Sequence, residues 1–288
     1  MKRRRGCVII HRGEEMYICP VCKMDMKLYD NTYKCSRGHC FDVARKGYVN
    51  LLTTKGRDPS KAGDNADMVR ARTEFLDKGY YAPLADEIKR IAGGAVSGSD
   101  HPVIIDSGCG EGFYTLRLAD IGNARIFGID ISKHAVAHCM TRVHLAGIKN
   151  CSFAVASSFE LPFGDGSADA VVSVFAPVCN DEYARVLKDG GALIVVSPSA
   201  GHLFELKAAV YDKPYLNRPN SYGLNRFRLE DETELGYKVH IPDNDDIMSL
   251  FMMTPYSYKT PQEGIERLRA LSELEVTCAF TVQVYGKK

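Results

Sequence analysis

From about residue 100 to 200, short apolar runs alternate with longer amphipathic stretches. The runs lie at 103–105, 125–129, 152–155, 170–175 and 192–196, and segments of helical character cover 113–119, 133–146 and 181–187. None of the five runs alternates cleanly with polar residues, which is how strands covered on both faces read. The pattern predicts an α/β fold with a doubly wound, mostly parallel sheet. The last run, 275–285, does alternate and predicts an antiparallel strand at the sheet edge. Upstream, a helix is expected from Asp64 or Asn65, with Met68, Ala71, Phe75 and Leu76 near helical spacing, and a second over 83–92. Residues 17–50 look different: rich in Cys, Gly and Lys, with short strand-like pieces and little to build a core from. The turn-rich stretch 53–65 reads as a linker. The expected division is 1–52, a small cysteine-rich domain; 53–99, linker and helical segment; and 100–288, the α/β domain.

Composition changes the picture in three places. No apolar stretch approaches the roughly 20 residues that cross a bilayer, so a membrane span is excluded. The basic start, Met1 to Arg5, is followed only by Cys7-Val8-Ile9-Ile10, too short an apolar segment to direct secretion. Ten cysteines without a secretory signal read as metal ligands in a reducing compartment, which points to the cytoplasm. The net charge of +1 conceals an asymmetry: residues 1–62 hold 14 basic and 6 acidic side chains, a balance of +8, and the rest hold 23 and 30, a balance of −7. A cationic front on a mildly acidic body fits a polyanionic partner such as nucleic acid.

Two motifs carry chemistry. Cys19-Pro20-Val21-Cys22 and Cys35-Ser36-Arg37-Gly38-His39-Cys40 place two ligand pairs on either side of a short polar stretch, the spacing of a tetrahedral zinc site. His39 and Cys40 are adjacent and only one can turn inward; His39 is taken as the fourth ligand, with Cys19, Cys22 and Cys35. Four protein ligands close the site, so the metal is structural.

The second motif is Val103-Ile104-Ile105-Asp106-Ser107-Gly108-Cys109-Gly110-Glu111-Gly112-Phe113, a buried strand ending in an acid, then a glycine loop leading into a helix. A dinucleotide fingerprint needs glycine at 108, 110 and 113, and 113 is Phe, so an NAD site is disfavoured. A second acid, Asp130, ends the next strand, where a carboxylate can accept both hydroxyls of a ribose. Together these resemble motifs I and II of the class I S-adenosylmethionine (SAM)-dependent methyltransferases. In that fold Ala156-Ser157-Ser158-Phe159 stands where adenine is contacted, Phe175-Ala176-Pro177 where substrate and methyl meet, and Lys188-Asp189-Gly190-Gly191 at the turn before the next strand.

Adding Phe41-Asp42-Val43-Ala44-Arg45-Lys46-Gly47-Tyr48-Val49-Asn50-Leu51-Leu52 and His202-Leu203-Phe204-Glu205-Leu206-Lys207, nearly the whole chain resembles the RlmA (RrmA) family of 23S ribosomal RNA guanine-N1 methyltransferases. The resemblance implies a cytoplasmic, dimeric enzyme that methylates N1 of a guanine in a 23S rRNA hairpin near the peptide exit tunnel, with the zinc domain helping to grip RNA. It implies SAM contacts at Tyr81, Gly110, Glu111 and His202, and, by motif, at Asp106, Gly108, Gly112 and Asp130. Ser107 departs from the family's usual apolar residue, and the basic segment before the first Cys pair is additional. One branch of the family methylates a neighbouring guanine and is linked with macrolide resistance; the glycine loop leans toward the other branch. Guanine N1 must lose a proton, and the sequence does not name the acceptor: Glu205 and the carbonyls of 175–177 are candidates. Phe175, Tyr114 and Tyr222 are candidate stacking partners for an extruded base. A small-molecule SAM methyltransferase, or an RNA-binding protein with an inactive methyltransferase domain, stands as the alternative.

Overall fold

The computed structural model describes residues 16–53, 63–218 and 221–288. Most of the linker expected at 53–65 and the basic segment before Met16 lie outside the described residues.

A small three-stranded antiparallel sheet comes first, from β1 (Met26–Tyr29), β2 (Thr32–Cys35) and β3 (Cys40–Asp42). β4 (Val49–Asn50) then leaves it and pairs in parallel with the far edge of the main sheet. Two helices follow, α1 (Ala66–Asp77) and α2 (Ala82–Ala95). Asn65 caps α1, its side chain accepting the amides of Asp67 and Met68, and Pro83 stands in the first turn of α2.

The alternating region then forms β5 (Val103–Ser107), α3 (Phe113–Leu118), β6 (Arg125–Asp130), α4 (Lys133–Ala146), β7 (Cys151–Val155), β8 (Ala168–Val174), α5 (Asn180–Val186) and β9 (Leu187–Pro198). After α6 (Phe204–Val210) come β10 (Phe227–Ile241), α7 (Asn244–Met252), α8 (Gln262–Arg269) and β11 (Leu274–Lys287). Among the described residues the main sheet has eight strands in the order β10-β11-β9-β8-β5-β6-β7-β4. β4 to β9 run parallel, and β11 and β10 add antiparallel. The chain steps from β5 to β6 and β7 on one side, then to β8 and β9 on the other, so a topological switch point lies beside the carboxyl end of β5.

The apolar runs are explained by burial on both faces. Ile104, Ile126, Ile194 and Val196 point into one core, with Phe75, Leu84, Val136 and Leu206 from the helices; Ile105, Phe127, Leu193 and Val195 point into the other. Helices α1 and α2 are thus part of the α/β core rather than a spacer. The second core contains Tyr17, Cys19, Met26 and Cys35 of the front unit, which packs where another helix would cover the sheet.

Two expectations change. The run 275–285 is an antiparallel strand, but not the edge: β10 lies outside it, paired from Phe227↔Lys287 to Ile241↔Leu274 with a bulge at Glu230. Its charged stretch, Glu230-Asp231-Glu232-Thr233-Glu234, is largely exposed and carries no apolar period; the ladder to β11, with Gln283 donating to Glu232 at 2.7 Å and Thr281 to Glu234 at 2.6 Å, fixes it as a strand. The segment 48–52, read with the front unit, is shared: Val49 and Leu51 join the main sheet and its second core.

Candidate functional site

The metal-ligand motif closes. The ligand atoms of Cys19, Cys22, Cys35 and His39 all lie within 4.8 Å of one another. Cys22 Sγ is 3.6 Å from Cys35 Sγ, and His39 Nδ1 is 3.4 Å from Cys35 Sγ and 3.5 Å from Cys19 Sγ. A tetrahedron with Zn–S of about 2.3 Å and Zn–N of about 2.0 Å has edges of about 3.8 and about 3.5 Å. The donor set therefore fits Zn²⁺ in size and softness. The choice between neighbours is decided by the turn: the Cys35 amide donates to the His39 carbonyl, and Cys40 faces away, its thiol donating to the Gly38 carbonyl at 3.4 Å.

At the switch point, the glycine loop hangs on the tip of β6. The amides of Gly108 and Cys109 both donate to the Ile129 carbonyl, at 2.7 and 3.0 Å. Gly108 has φ +84°, and a Cβ there would stand 2.4 Å from that of Ala176; Gly112 has φ +89° and faces Cys139 Sγ at 3.0 Å. Both positions exclude a side chain on backbone and space alike. The backbone can therefore lie flat against a ligand, and Ala176, on the loop after β8, closes over it.

Asp130 is more engaged than a free ribose ligand at a strand tip. Its Oδ2 accepts the Gly110 amide at 2.9 Å and its Oδ1 the Ser132 amide at 2.7 Å, leaving one further lone pair on each oxygen. Burial raises its pKa, against the pull of those two amides. Asp106 is buried and accepts the Thr115 hydroxyl; burial pushes its pKa up to about 7. Glu111, 2% exposed, accepts the Phe113 amide at 3.2 Å.

Across the loop, Tyr81 and His202 meet. The hydroxyl of Tyr81 lies 3.4 Å from His202 Nε2, and the Ala279 amide donates to His202 Nδ1 at 3.2 Å. The second bond assigns the tautomer: Nδ1 accepts, so Nε2 carries the proton. Burial, with Lys207 nearby, pushes the imidazole pKa down to about 3, so the ring is neutral. Phe175 covers it, with ring planes 21° apart and centroids 6.4 Å apart, and Phe280 packs at 4.7 Å. Phe175 has φ +53° and is 44% exposed, a large ring on strained backbone at the rim.

The structure brings together Tyr81, Asp106, Gly108, Gly110, Glu111, Gly112, Asp130 and His202 around the carboxyl ends of β5, β6 and β9. Other candidates are not gathered there. Glu205 accepts the Thr277 hydroxyl at 2.6 Å and its amide at 2.9 Å; burial is outweighed by these bonds, which keep its pKa low, so it ties α6 to β11. Tyr222 packs with Leu224 and Tyr285 against the other core. Tyr114 does reach Phe175, edge-on with centroids 6.4 Å apart. Phe280 and Ser132 were not legible as site residues: one sits in a strand whose place in the sheet was misread, the other is an ordinary helix cap.

The two motifs are neighbours. Tyr17 packs its ring on Phe127 and Phe163 at 5.9 and 5.5 Å, and Lys23 pairs with Glu160 at 2.6 Å, one residue after the segment expected to face adenine. The metal unit is thus docked beside the edge that carries the glycine loop.

Comparison with known proteins agrees with this arrangement. Residues 17–57 match the model of the RlmA N-terminal zinc ribbon, and residues 99–251 that of a methyltransferase domain. A Streptomyces fradiae protein named 23S rRNA (guanine(748)-N(1))-methyltransferase is 40% identical, covering 92% of this chain and 95% of its own. Proteins from Micromonospora griseorubida (37% identical, 93% of this chain and 96% of theirs) and Bacillus subtilis strain 168 (32%, 91% and 94%) carry provisional names for 23S rRNA guanine-N(1) methylation. The zinc ribbon, the SAM-dependent methyltransferase sheet and similarity along nearly the full length place this chain in the RlmA-type family of 23S rRNA guanine-N1 methyltransferases.

Proposed function

We propose that this protein methylates N1 of a guanine in a 23S rRNA hairpin loop near the peptide exit tunnel. The observation that carries the reading is the docking of the ribbon, through Tyr17, Phe127 and Phe163, beside the edge of the methyltransferase sheet. A small-molecule methyltransferase has no need of a cationic metal unit at that edge.

When bound, SAM supplies an electrophilic methyl group. We assign its site to Tyr81, Asp106, Gly108, Gly110, Glu111, Gly112, Asp130 and His202. Asp130 takes the ribose on its remaining lone pairs, the glycine backbone lies against the ligand, and neutral His202, with the proton on Nε2, donates without adding charge. The protein's share of catalysis is alignment and exclusion of water.

N1 lies on the Watson–Crick edge of guanine, so the target base must be unpaired or extruded. Phe175, half-exposed and stacked over His202, offers a platform for it. The N1 proton must leave as methyl arrives, and with Glu205 occupied by Thr277 and the Pro177 carbonyl accepting the Tyr183 hydroxyl at 3.1 Å, the carbonyls of Phe175 and Ala176 remain as orienting acceptors. As for the branch, the relative named for guanine 748 weighs against the leaning drawn from the glycine loop alone.

The family resemblance also implies a homodimer working in the cytoplasm; among the described residues no helix is long and apolar enough to cross a membrane. The test of function is methyl transfer from labelled SAM to unmodified 23S rRNA, followed by reverse transcription. N1 methylation blocks pairing, so extension should stop beside one guanine in a hairpin loop, and only when SAM was present. Label on a ribose, on guanine N7 or on a small molecule would reject the assignment.

A further inference from the structure

The sequence motifs account for the ribose end of the cofactor and for its backbone cradle, but not for its zwitterionic tail. SAM ends in an α-ammonium and an α-carboxylate, and the buried groups beside the loop, Asp106, Glu111 and Asp130, are all acids. An unmatched carboxylate among them would be strongly unfavourable.

A cation is in place. Arg72, on α1, brings Nη1 to 3.4 Å from the point where a Cβ on Gly110 would stand, so its guanidinium lies directly over the middle glycine of the loop. It is also the cation that acts most strongly on the buried Glu111 carboxylate. Its ion pair with Asp64, at 2.6 Å, engages Nη1 of a fork that has five N–H donors. Asp64 is itself fixed, because its carbonyl accepts the Ser132 hydroxyl at 2.6 Å, beside the Asp130 tip. The start of α1 is thus pinned across the mouth of the loop, and Arg72 points at it.

A second observation is independent of the arginine. The Tyr114 hydroxyl, in the first turn of α3, is buried and has no hydrogen-bond partner among the described residues. Glu111 and Arg72 are both among the charges that act on it. A buried phenol without a partner forfeits the hydrogen bonds it would make in water, so its persistence calls for a ligand.

We propose that Arg72 and the Tyr114 hydroxyl form the receptor for the α-carboxylate of SAM, opposite Glu111, which takes the α-ammonium. The alternating charges Arg72 and Glu111 then mirror those of the ligand's tail, and helix α1 becomes part of the cofactor site. The inference rests on the glycine loop and Asp130 being that site.

The test separates the two ends of the ligand. S-adenosylhomocysteine carries the aminoacyl tail, and 5′-methylthioadenosine keeps adenine, ribose and sulfur without it. Calorimetric titration of the zinc-loaded full chain should show Arg72→Gln weakening S-adenosylhomocysteine at least about tenfold, while 5′-methylthioadenosine binds within about twofold of the parent. Tyr114→Phe should act in the same selective way but more weakly. Arg72→Lys, which keeps the charge and loses the fork, should fall between, and it serves if the Gln variant fails to fold. Equal loss for both nucleosides would make Arg72 a support of the loop, and unchanged S-adenosylhomocysteine affinity would remove it from the site; either result overturns the proposal. A parent chain that binds neither nucleoside would overturn the underlying cofactor site instead.

Discussion

The Tyr81 hydroxyl and Nε2 of His202 stand 3.4 Å apart although 121 residues separate them. One caps the start of α2 and the other follows β9, and they meet because both flank the switch point of the sheet. His202 is neutral, with its pKa pushed from 6.5 down to about 3 chiefly by burial. The unfolded chain takes up this proton as pH falls below about 6.5, and the folded chain resists until about 3. The stability His202 supplies is therefore full above pH 6.5 and declines as pH falls through that window. Asp106, raised to about 7 by burial, acts in the opposite sense, losing its contribution as pH rises through 7. Comparing the parent with His202→Asn isolates the imidazole: between pH 6.5 and 4 the variant should lose less unfolding free energy than the parent. Parallel pH profiles in urea titrations would show that His202 is not buried as described.

Asp130→Ala is expected to weaken SAM binding by about 10- to 100-fold, the loss of a charge-assisted hydrogen bond of about 1.5–3 kcal/mol. The structure adds a cost in stability, because the amides of Gly110 and Ser132 lose their acceptor. Asp130→Asn keeps an acceptor for one of them and should recover part of the stability but not the affinity. Calorimetry and thermal unfolding on the same samples check both halves; affinity within twofold of the parent would reject the ribose assignment.

One zinc per chain is expected by metal analysis, and Cys22→Ser should release it. Because Cys19 and Cys35 share a core with Phe127 and Phe163, metal loss should lower the melting temperature of the whole chain and weaken rRNA binding. SAM affinity should hold within a few-fold, since Cys109 and Phe113 of the cofactor loop pack in the other core. A variant that binds the rRNA hairpin like the parent would show that the ribbon is not the RNA grip.

Phe175→Ala should raise KM for rRNA by about 5-fold or more, since base–aromatic stacking is worth about 1–3 kcal/mol. SAM affinity should fall less than this, because the ring touches His202, Tyr114 and Phe280 while the glycine loop and Asp130 keep their own hydrogen bonds. Steady-state kinetics with rRNA and with SAM as the varied substrate distinguish the two; an unchanged KM for rRNA would place the target base elsewhere.

Gly108→Ala should abolish SAM binding. Its Cβ would meet Ala176 at 2.4 Å on a backbone at φ +84°, so the loop must move away from the site. Binding retained within a few-fold would show that the loop can shift without losing the ligand.

The sequence by itself determined the parallel sheet, its first strands and helices, the four metal ligands as a set and the glycine loop with Asp106 and Asp130. These are local facts: burial on both faces leaves apolar runs, a knuckle turn needs its cysteines at fixed spacing, and positive φ selects glycine. Only the tertiary structure decided the rest. β10 is a strand because β11 offers it a ladder, not because Glu230 to Glu234 favour one. Glu205 left the candidate acceptors because Thr277, 72 residues away, takes both its oxygens. Arg72 and Gly110 came together because α1 folds back over the sheet. Contacts of this kind depend on chain segments distant in sequence, and the residues that make them carry no local signal of the partner they will meet.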